Sequence, residues 1–463
     1  MRSSRTAGCP PPRARGEGQG GGAGEERFAK APLPPADETR FEETTMTDRP
    51  SIILIITDQQ RYDTIGALGY PHVDTPNLDR LAAEGTRFEH CYSQPLCTPT
   101  RVQLMTGQYN FRNYEDFGYL RPQDATFAQL LQQAGYATAV AGKWQLNGLS
   151  HKKPRHDDPR RANEAGFDEY CLWQLTQPRS PDAERFEKPW IEQNGRKLDT
   201  SDQDYGPDIF AGFIQDFITR KRDQPWLVYY PMVLTHDPFV PTPASAGWGT
   251  KQKSHPRHFK DMIEYMDAIV GRLVDHLESL GLRENTIILF TGDNGTHPSI
   301  TTQTRTGSVQ GGKGNTTDAG TRVPFIVSWT RLSPAGVVSR DLVDFTDFFP
   351  TLLEAAGLKA PADLMLDGRS FLPQLKGEMG RPREWVFCHY HPRWGNRDQW
   401  KGRFARDHRF KLYDDGRLYD VPADPLEESA LDTANLPPGA MAARTRLQAV
   451  LDSMPPWTED RPH

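Results

Sequence analysis

The chain has no run of roughly 20 apolar residues of the kind a membrane helix needs. Its longest purely aliphatic stretch is Ile52 to Ile56. It lacks an excess of one charge: 55 Lys and Arg stand against 61 Asp and Glu, a net of −6. That balance excludes a mainly basic nucleic-acid binder and gives no support to a polyanionic tail. Five cysteines cannot close a disulfide framework among themselves, and their spacing matches no zinc pattern. Residues 1–48 contain almost no large apolar side chains and carry Pro10-Pro11-Pro12 and Gly20-Gly21-Gly22 instead. Such a segment cannot offset its ordering entropy and is expected to be disordered. It also lacks the apolar stretch of a secretory signal, so the chain as written is expected to be cytoplasmic. Met46 immediately precedes the first apolar run, and a start at that residue and a genuine flexible tail both stay open.

What is present is an α/β alternation. Ser51–Thr57 (SIILIIT) is a continuous β-branched run, as expected of a strand buried on both faces. Thr75 and Pro76 are placed to start a helix over 77–84, and 124–134 reads as another. Further strands are predicted at 136–141, 226–233, 286–291 and 323–329, and a helix at 345–356. The clearest helix carries Met262, Met266, Ile269, Val270, Leu273, Leu277 and Leu280 at three- and four-residue steps, closed by Gly281. The pattern predicts a large, mainly parallel or mixed sheet flanked by helices over 49–368. After about Gly368 come short strand candidates at 384–389, 403–407, 409–413 and 417–421, with Asp414-Asp415-Gly416 as a hairpin turn. A final helix is expected near 441–452. Residues 369–463 therefore read as a smaller antiparallel subdomain.

Ligands of parallel α/β sheets collect beyond the carboxyl ends of the strands. Two such ends carry the pairs Asp58-Gln59 and Asp293-Asn294. Each combines an anionic oxygen with an amide oxygen, a hard donor set suited to Ca²⁺ or Mg²⁺ rather than zinc. One pair alone would be an ordinary helix cap; two at equivalent ends favour a metal site.

The third element is Cys97-Thr98-Pro99-Thr100-Arg101, followed by Thr106-Gly107. With THDPF at 235–239, GGKGNTTDAGTRVPFIV at 311–327, LDGRSFLPQLKGE at 366–378 and RLYDVPADPLEE at 417–428, it resembles the formylglycine-dependent sulfatases of the alkaline-phosphatase-like superfamily. The resemblance covers nearly the whole chain from Ser51. It implies that Cys97 is oxidised to formylglycine by a generating enzyme, the Cys form fitting the oxygen-dependent one. The aldehyde hydrate is then the nucleophile. It further implies that Asp58, Gln59, Asp293 and Asn294 bind a divalent metal together with the modified Cys97. Arg101 and Lys143 would support the diol, Lys313 would contact sulfate, and His236 would protonate the departing alcohol. A geminal diol suits this chemistry because one hydroxyl attacks sulfur while the other expels sulfate by re-forming the carbonyl. A helix start just after position 97 favours an anion there.

Two positions depart from the family pattern. Gln145 stands where a Lys-x-His usually supplies the His that deprotonates the second hydroxyl, and a neutral amide cannot accept that proton. Another His entering the site is the favoured substitute, a metal-bound carboxylate or slow expulsion of sulfate being the alternatives. Gln59 stands where many sulfatases have a second Asp, leaving the metal site one unit less negative, a change that weakens Ca²⁺ affinity or favours Mn²⁺ or Mg²⁺. Gln at that position also resembles the phosphonate monoester and phosphodiester hydrolases of the superfamily, and the missing His leaves room for a sulfated-glycan binder. For the substrate, a sulfated sugar or an aryl sulfate, Gln145, Arg112, His389, His391, Arg393 and Trp394 are the candidates around the pocket mouth. The aromatic stretch YNFRNYEDFGY at 109–119 either lines the site or packs, and His297 reads as a loop residue.

Overall fold

The structure is a computed structural model. It describes residues 49–176, 184–250, 252–304, 307–395 and 400–458; the expected disorder of 1–48 lies outside the described residues. Ser51–Thr57 (β1) is buried along its whole length. Its alternate side chains point to opposite faces: Ile53 and Ile55 join one apolar cluster, Ile52, Leu54 and Ile56 another. Two cores therefore sandwich one sheet. The strands that follow are Thr86–Tyr92 (β2), Ala137–Lys143 (β3), Glu169–Trp173 (β4), Ile191–Gln193 (β5), Arg196–Lys197 (β6), Trp226–Pro231 (β7) and Thr286–Gly292 (β8). After a separate hairpin, Thr301–Thr304 (β9) and Gly307–Gln310 (β10), come Arg322–Val323 (β11), Phe325–Ser328 (β12) and Val337–Asp344 (β13). The main sheet has 11 strands in the order β11-β2-β12-β8-β1-β7-β3-β4-β5-β6, with β13 paired to β2. Its centre, β8-β1-β7-β3-β4, is parallel; β12 joins β8 antiparallel. The expected mixed α/β sheet is what forms.

One face is covered by the helices Pro76–Glu84, Gly206–Lys221 and Phe259–Ser279. The other is covered by Cys97–Thr106, Phe127–Gln133 and Phe348–Ala355. Phe259–Ser279 buries Met262, Met266, Ile269, Val270, Leu273 and Leu277, each worth about 1.5–3 kcal/mol as an upper figure. Gly281, at φ 68°, ends it in the left-handed conformation that favours glycine. No helix among the described residues is long and apolar enough to cross a membrane.

A second sheet of Val386–Tyr390 (β14), Gly402–Arg406 (β15), Phe410–Tyr413 (β16) and Leu418–Asp420 (β17) is antiparallel throughout. The helix Pro438–Ser453 packs Ala443, Leu447 and Leu451 on Phe387, Ala405 and Leu412. Tyr390, Phe404 and Tyr413 cluster with Leu96, Cys97 and Phe117. The small sheet thus abuts the start of the Cys97 helix.

Several boundaries differ from the sequence reading for local reasons. The helix expected from 124 starts at Phe127, because Thr126 and Gln129 form a reciprocal capping box. The strand expected over 323–329 is broken at Pro324, which has no N–H to donate. The helix expected from 345 opens with a 3-10 turn capped by Asp344. Gly206–Lys221 was not foreseen as a helix, although Phe210, Phe213, Ile214, Phe217 and Ile218 carry its period. The polar residues Arg87, Glu89 and His90 likewise masked the strand β2.

Candidate active site

Thr57 at the end of β1 pairs with Gly292 at the end of β8, so parallel register alone sets Asp58 beside Asp293. Both are fully buried. Gln59, at φ 64°, turns the chain sharply after the strand; its N–H donates to Asp293 Oδ1 at 3.2 Å. Lys143 ends β3 and donates from Nζ to Asp58 Oδ2 at 2.5 Å. Its Nζ also lies 3.5 Å from Cys97 Sγ. Arg101 donates from Nη2 to Asp293 Oδ2 at 2.8 Å and from Nη1 to the Lys143 carbonyl.

Cys97 is the first residue of its helix rather than lying before it. Thr100 anchors that helix start, donating its hydroxyl to the carbonyl of Asp293 at 2.7 Å. Burial opposes charge on both carboxylates. Lys143, Lys313 and Arg101 outweigh it for Asp58, which ends below the usual carboxylate range. Asp293 ends above that range, because burial is joined by repulsion from Asp58.

Ligand atoms of Asp58, Cys97 and Asp293 all lie within 4.8 Å of one another. Asp58 Oδ1, Gln59 Oε1 and Asn294 Oδ1 are buried without a hydrogen-bond partner, an arrangement that costs free energy unless something else satisfies them. Oxygen donors of this kind fit a hard divalent cation. The remaining atoms of the amides are fixed to suit: Asn294 Nδ2 donates to Asp293 Oδ1, and Gln59 Nε2 donates to Asp237 Oδ1 at 3.0 Å.

Above this floor opens a cleft of about 520 Å³. Cys97, Lys143, Gln145, His236 and Lys313 line it, and so does Trp394. His236 Nδ1 lies 2.6 Å from the Asp237 carbonyl and 3.1 Å from Asp237 Oδ1. Lys313 Nζ lies 3.2 Å from His236 Nε2. Burial, then the charges of Lys313, Arg185 and Lys143, hold the imidazole well below its ordinary pKa. Nδ1–H therefore donates to Asp237, and Nε2 accepts from the Lys313 ammonium. The glycines around Lys313 permit close passage: a Cβ on Gly311 would fall 2.2 Å from the His297 carbonyl, and one on Gly314 (φ 91°) would fall 2.9 Å from the Trp400 ring.

Four of the residues expected at the pocket mouth are not brought to the cleft. Arg112 makes a two-point ion pair with Asp367, both bonds 2.8 Å. His389 is buried and stacks on Trp457 at 4.7 Å, and His391 stacks on the same ring. The Arg393 backbone turns at φ 47° and its carbonyl accepts from the Phe117 N–H. For Arg112, His389 and His391 a neighbour distant in sequence claims the side chain. Phe117, within the aromatic stretch, does line the cleft, stacked on Trp394 at 4.3 Å and 7°. Tyr109 and Tyr114 are buried packing. Asp237, Trp173, Arg185 and Trp400 also line it and were not foreseen; Asp237, adjacent to His236, was the one with a local signal. His297 is a loop residue, as read, and it too reaches the cleft.

Residues 50–358 match the family model named Sulfatase, and residues 313–447 match that of the C-terminal region of N-sulphoglucosamine sulphohydrolase. The chain belongs to the sulfatase family. N-acetylgalactosamine-6-sulfatase of Canis lupus familiaris is 32% identical over 362 residues, covering 71% of this chain and 66% of its own length. This chain thus spans just under two thirds of that relative. Arylsulfatase A of Homo sapiens is 30% identical over 435 residues, covering 84% of this chain and 80% of its own. A solved structure in complex with its substrate D-glucosamine-2-N,6-O-disulfate shares the fold at a TM-score of 0.70 and 21% identity, over 87% of this chain and 98% of that one.

Proposed function

We propose that this protein hydrolyses a sulfate monoester of a sugar or an aryl alcohol at the cleft above Cys97. The observation that carries the reading is the set of three orphaned buried oxygens on Asp58, Gln59 and Asn294, residues that belong to or adjoin in sequence the Asp58, Cys97 and Asp293 cluster. Asp58, Gln59, Asp293, Asn294 and residue 97 would hold a divalent cation, Ca²⁺ by the donor set. Such an ion supplies Lewis-acid charge that polarises a sulfate oxygen and lowers the pKa of a neighbouring hydroxyl. A nucleophile at position 97 requires oxidation of the thiol to formylglycine by an oxygen-dependent generating enzyme. The relatives named for sulfated sugars and aryl sulfates support the substrate class.

The chain's own residues divide the remaining work. Lys143 and Arg101 are tied to Asp58 and Asp293 and fix the floor. Lys313 presents an ammonium to the sulfate group, where charge develops. At rest His236 Nε2 carries no proton; it takes one from Lys313, which donates to it at 3.2 Å, and passes that proton to the departing alcohol oxygen, after which water reprotonates Lys313. Gln145, whose Oε1 is buried without a hydrogen-bond partner, positions residue 97 by hydrogen bonding.

The test couples chemistry to mass. Co-expression with the generating enzyme should lower the mass of the Cys97 peptide by about 18 Da, the difference between thiol and aldehyde. The modified protein should turn over an aryl sulfate faster than an aryl phosphodiester. A faster phosphodiester reaction would assign the site to phosphorus esters, and an unmodified thiol would favour a glycan binder.

A further inference from the structure

We propose that Glu427 is a positioning residue for Lys313: through Lys411 and Tyr413 of the small sheet it clamps Thr316, and so holds the Lys313 ammonium at the sulfate group. The inference rests on the sulfatase reading and gives the small sheet a part in that reaction. Lys313 lies in a segment without helix or strand, between β10 and the short helix Asp318–Thr321. Gly311, Gly312 and Gly314 surround it, and so free a backbone has to be fixed from outside. On one side the Lys313 N–H donates to the Thr296 carbonyl and the Gly314 N–H to the Pro95 carbonyl, both at 3.0 Å. Those bonds tie the segment to the stretches that carry Asn294 and Cys97.

The other side is held at Thr316. Lys411, on β16, donates from Nζ to the Thr316 carbonyl and to Glu427 Oε1, the latter at 2.7 Å. Tyr413, at the end of β16, donates its hydroxyl to Glu427 Oε2 at 2.5 Å. That commits its one O–H, so across the 2.9 Å between the two hydroxyls Thr316 donates and Tyr413 accepts. The bonds close a ring: Thr316 is gripped by its carbonyl and by its hydroxyl, and both grips end on the Glu427 carboxylate. The side chains of Lys411 and Glu427 are 0% and 4% exposed. Desolvation offsets most of the attraction in a buried pair of this kind, so its use here is to fix geometry. Glu427 adopts φ 57°, the left-handed region that favours glycine, a local cost that the ring of bonds offsets. Two further contacts from β15 flank the clamp. Gly402 packs on the Thr316 methyl, where a Cβ would fall 3.0 Å away, and Arg406 pairs with Asp318.

The experiment measures kcat/KM on 4-nitrophenyl sulfate, per molecule bearing the aldehyde, for Glu427→Gln and Tyr413→Phe, each alone and combined with Lys313→Ala. Nitrophenolate leaves without a proton, so this probe reads the sulfate contact of Lys313 rather than proton transfer. A small misplacement of a reacting-site group corresponds to roughly a 10- to 100-fold fall in kcat/KM, the result expected for Glu427→Gln. Tyr413→Phe loses one hydroxyl and leaves the ion pair, so its fall should be about three- to tenfold. In the Lys313→Ala background both changes should alter kcat/KM less than about twofold, because no ammonium is left to position. Equal losses in both backgrounds, or no loss in either, would overturn the proposal. Amide hydrogen exchange reads the clamp without turnover. Residues 311–318 should exchange faster, by about tenfold in Glu427→Gln and about threefold in Tyr413→Phe, while 51–57 keep the wild-type rate. No acceleration at 311–318, or the same acceleration in both segments, refutes the clamp. If Glu427→Gln does not fold, Tyr413→Phe decides by the same two measurements. If the wild type cleaves no sulfate ester, the sulfatase reading itself fails, and exchange alone decides for Glu427.

Discussion

Asp58 and Asp293 lie side by side because two adjacent parallel strands end together, whereas Phe117, Trp173, Arg185, Trp394 and Trp400 share a wall only because separate segments converge. The floor is fully buried, charged and tied to the centre of the sheet; the wall is mostly aromatic, buried at Phe117, Trp173 and Arg185 but exposed at Trp400, and carried mostly by connections. A strand end is positioned by a ladder of hydrogen bonds that also holds the core, so its geometry tolerates little change. A connection can vary without disturbing that ladder. Chemistry is thus assigned to the invariable part of the fold, and choice of substrate to the part free to differ. Substitutions at the floor should then act on every substrate alike, and those at the wall on some and not others.

The strongest challenge to this division is Cys97→Ala. Removing the nucleophile should lower turnover of any sulfate ester by about 10⁴-fold or more. Because the hydrogen bond to the Cys97 thiol is a long one, 3.5 Å from Lys143 Nζ, the thermal transition should stay within a few degrees. Residual activity near wild type would show that residue 97 is not the nucleophile. His236→Ala comes next, with an expected loss of about 10²–10⁴-fold in kcat. That loss should shrink as the leaving alcohol becomes more acidic, because 4-nitrophenolate departs without help. An equal loss for alkyl and nitrophenyl sulfates would remove His236 from the role of acid.

Asp237 joins floor to wall, accepting from Gln59 Nε2 at 3.0 Å and from His236. By accepting from Nε2 it fixes the orientation of the Gln59 amide, whose Oε1 is one of the orphaned oxygens. Asp237→Asn should weaken Ca²⁺ binding by about 10- to 100-fold in a calorimetric titration, the usual cost of losing a residue that orients a ligand. Unchanged affinity would separate Asp237 from the metal. Gln145→Ala should be milder still, about three- to tenfold in kcat, the worth of one hydrogen bond. Complete loss, equal to that of Cys97→Ala, would make Gln145 essential.

The same contrast decides what sequence could disclose. SIILIIT and TIILFTG announce buried strands by composition, and the pairs that follow them are the next residues along the chain; nothing non-local is needed to bring them together. Cys97, Arg101, Lys143, His236 and Lys313 were picked out only through the family resemblance of the motifs that carry them. Arg185 carries no local mark. It lines the cleft stacked on Trp173, a strand end whose strand β4 was itself not foreseen, and no short-range pattern couples the two. Arg112 and His389 show the converse. Their residue types suit a sugar sulfate, yet Asp367 takes the first and Trp457 stacks on the second, partners 255 residues away in one case and on the far side of the small sheet's strands in the other.

His389 gives the smallest expected effect on activity and the sharpest test of that converse. It is 5% exposed. Burial, with Arg403, Arg393 and His391 nearby, lowers its pKa to about 3 from an ordinary 6.5. Above pH 6.5 the imidazole is neutral in both folded and unfolded chains and contributes no slope. Between about 6.5 and about 3 the unfolded chain binds a proton that the folded one does not, so stability falls as pH falls through that window. His389→Gln should flatten this limb in denaturant titrations from pH 7 to pH 4, while kcat/KM on a sulfated sugar at neutral pH changes less than about threefold. A tenfold loss of kcat/KM with the acid limb intact would return His389 to the substrate and move the boundary of the wall into the small sheet.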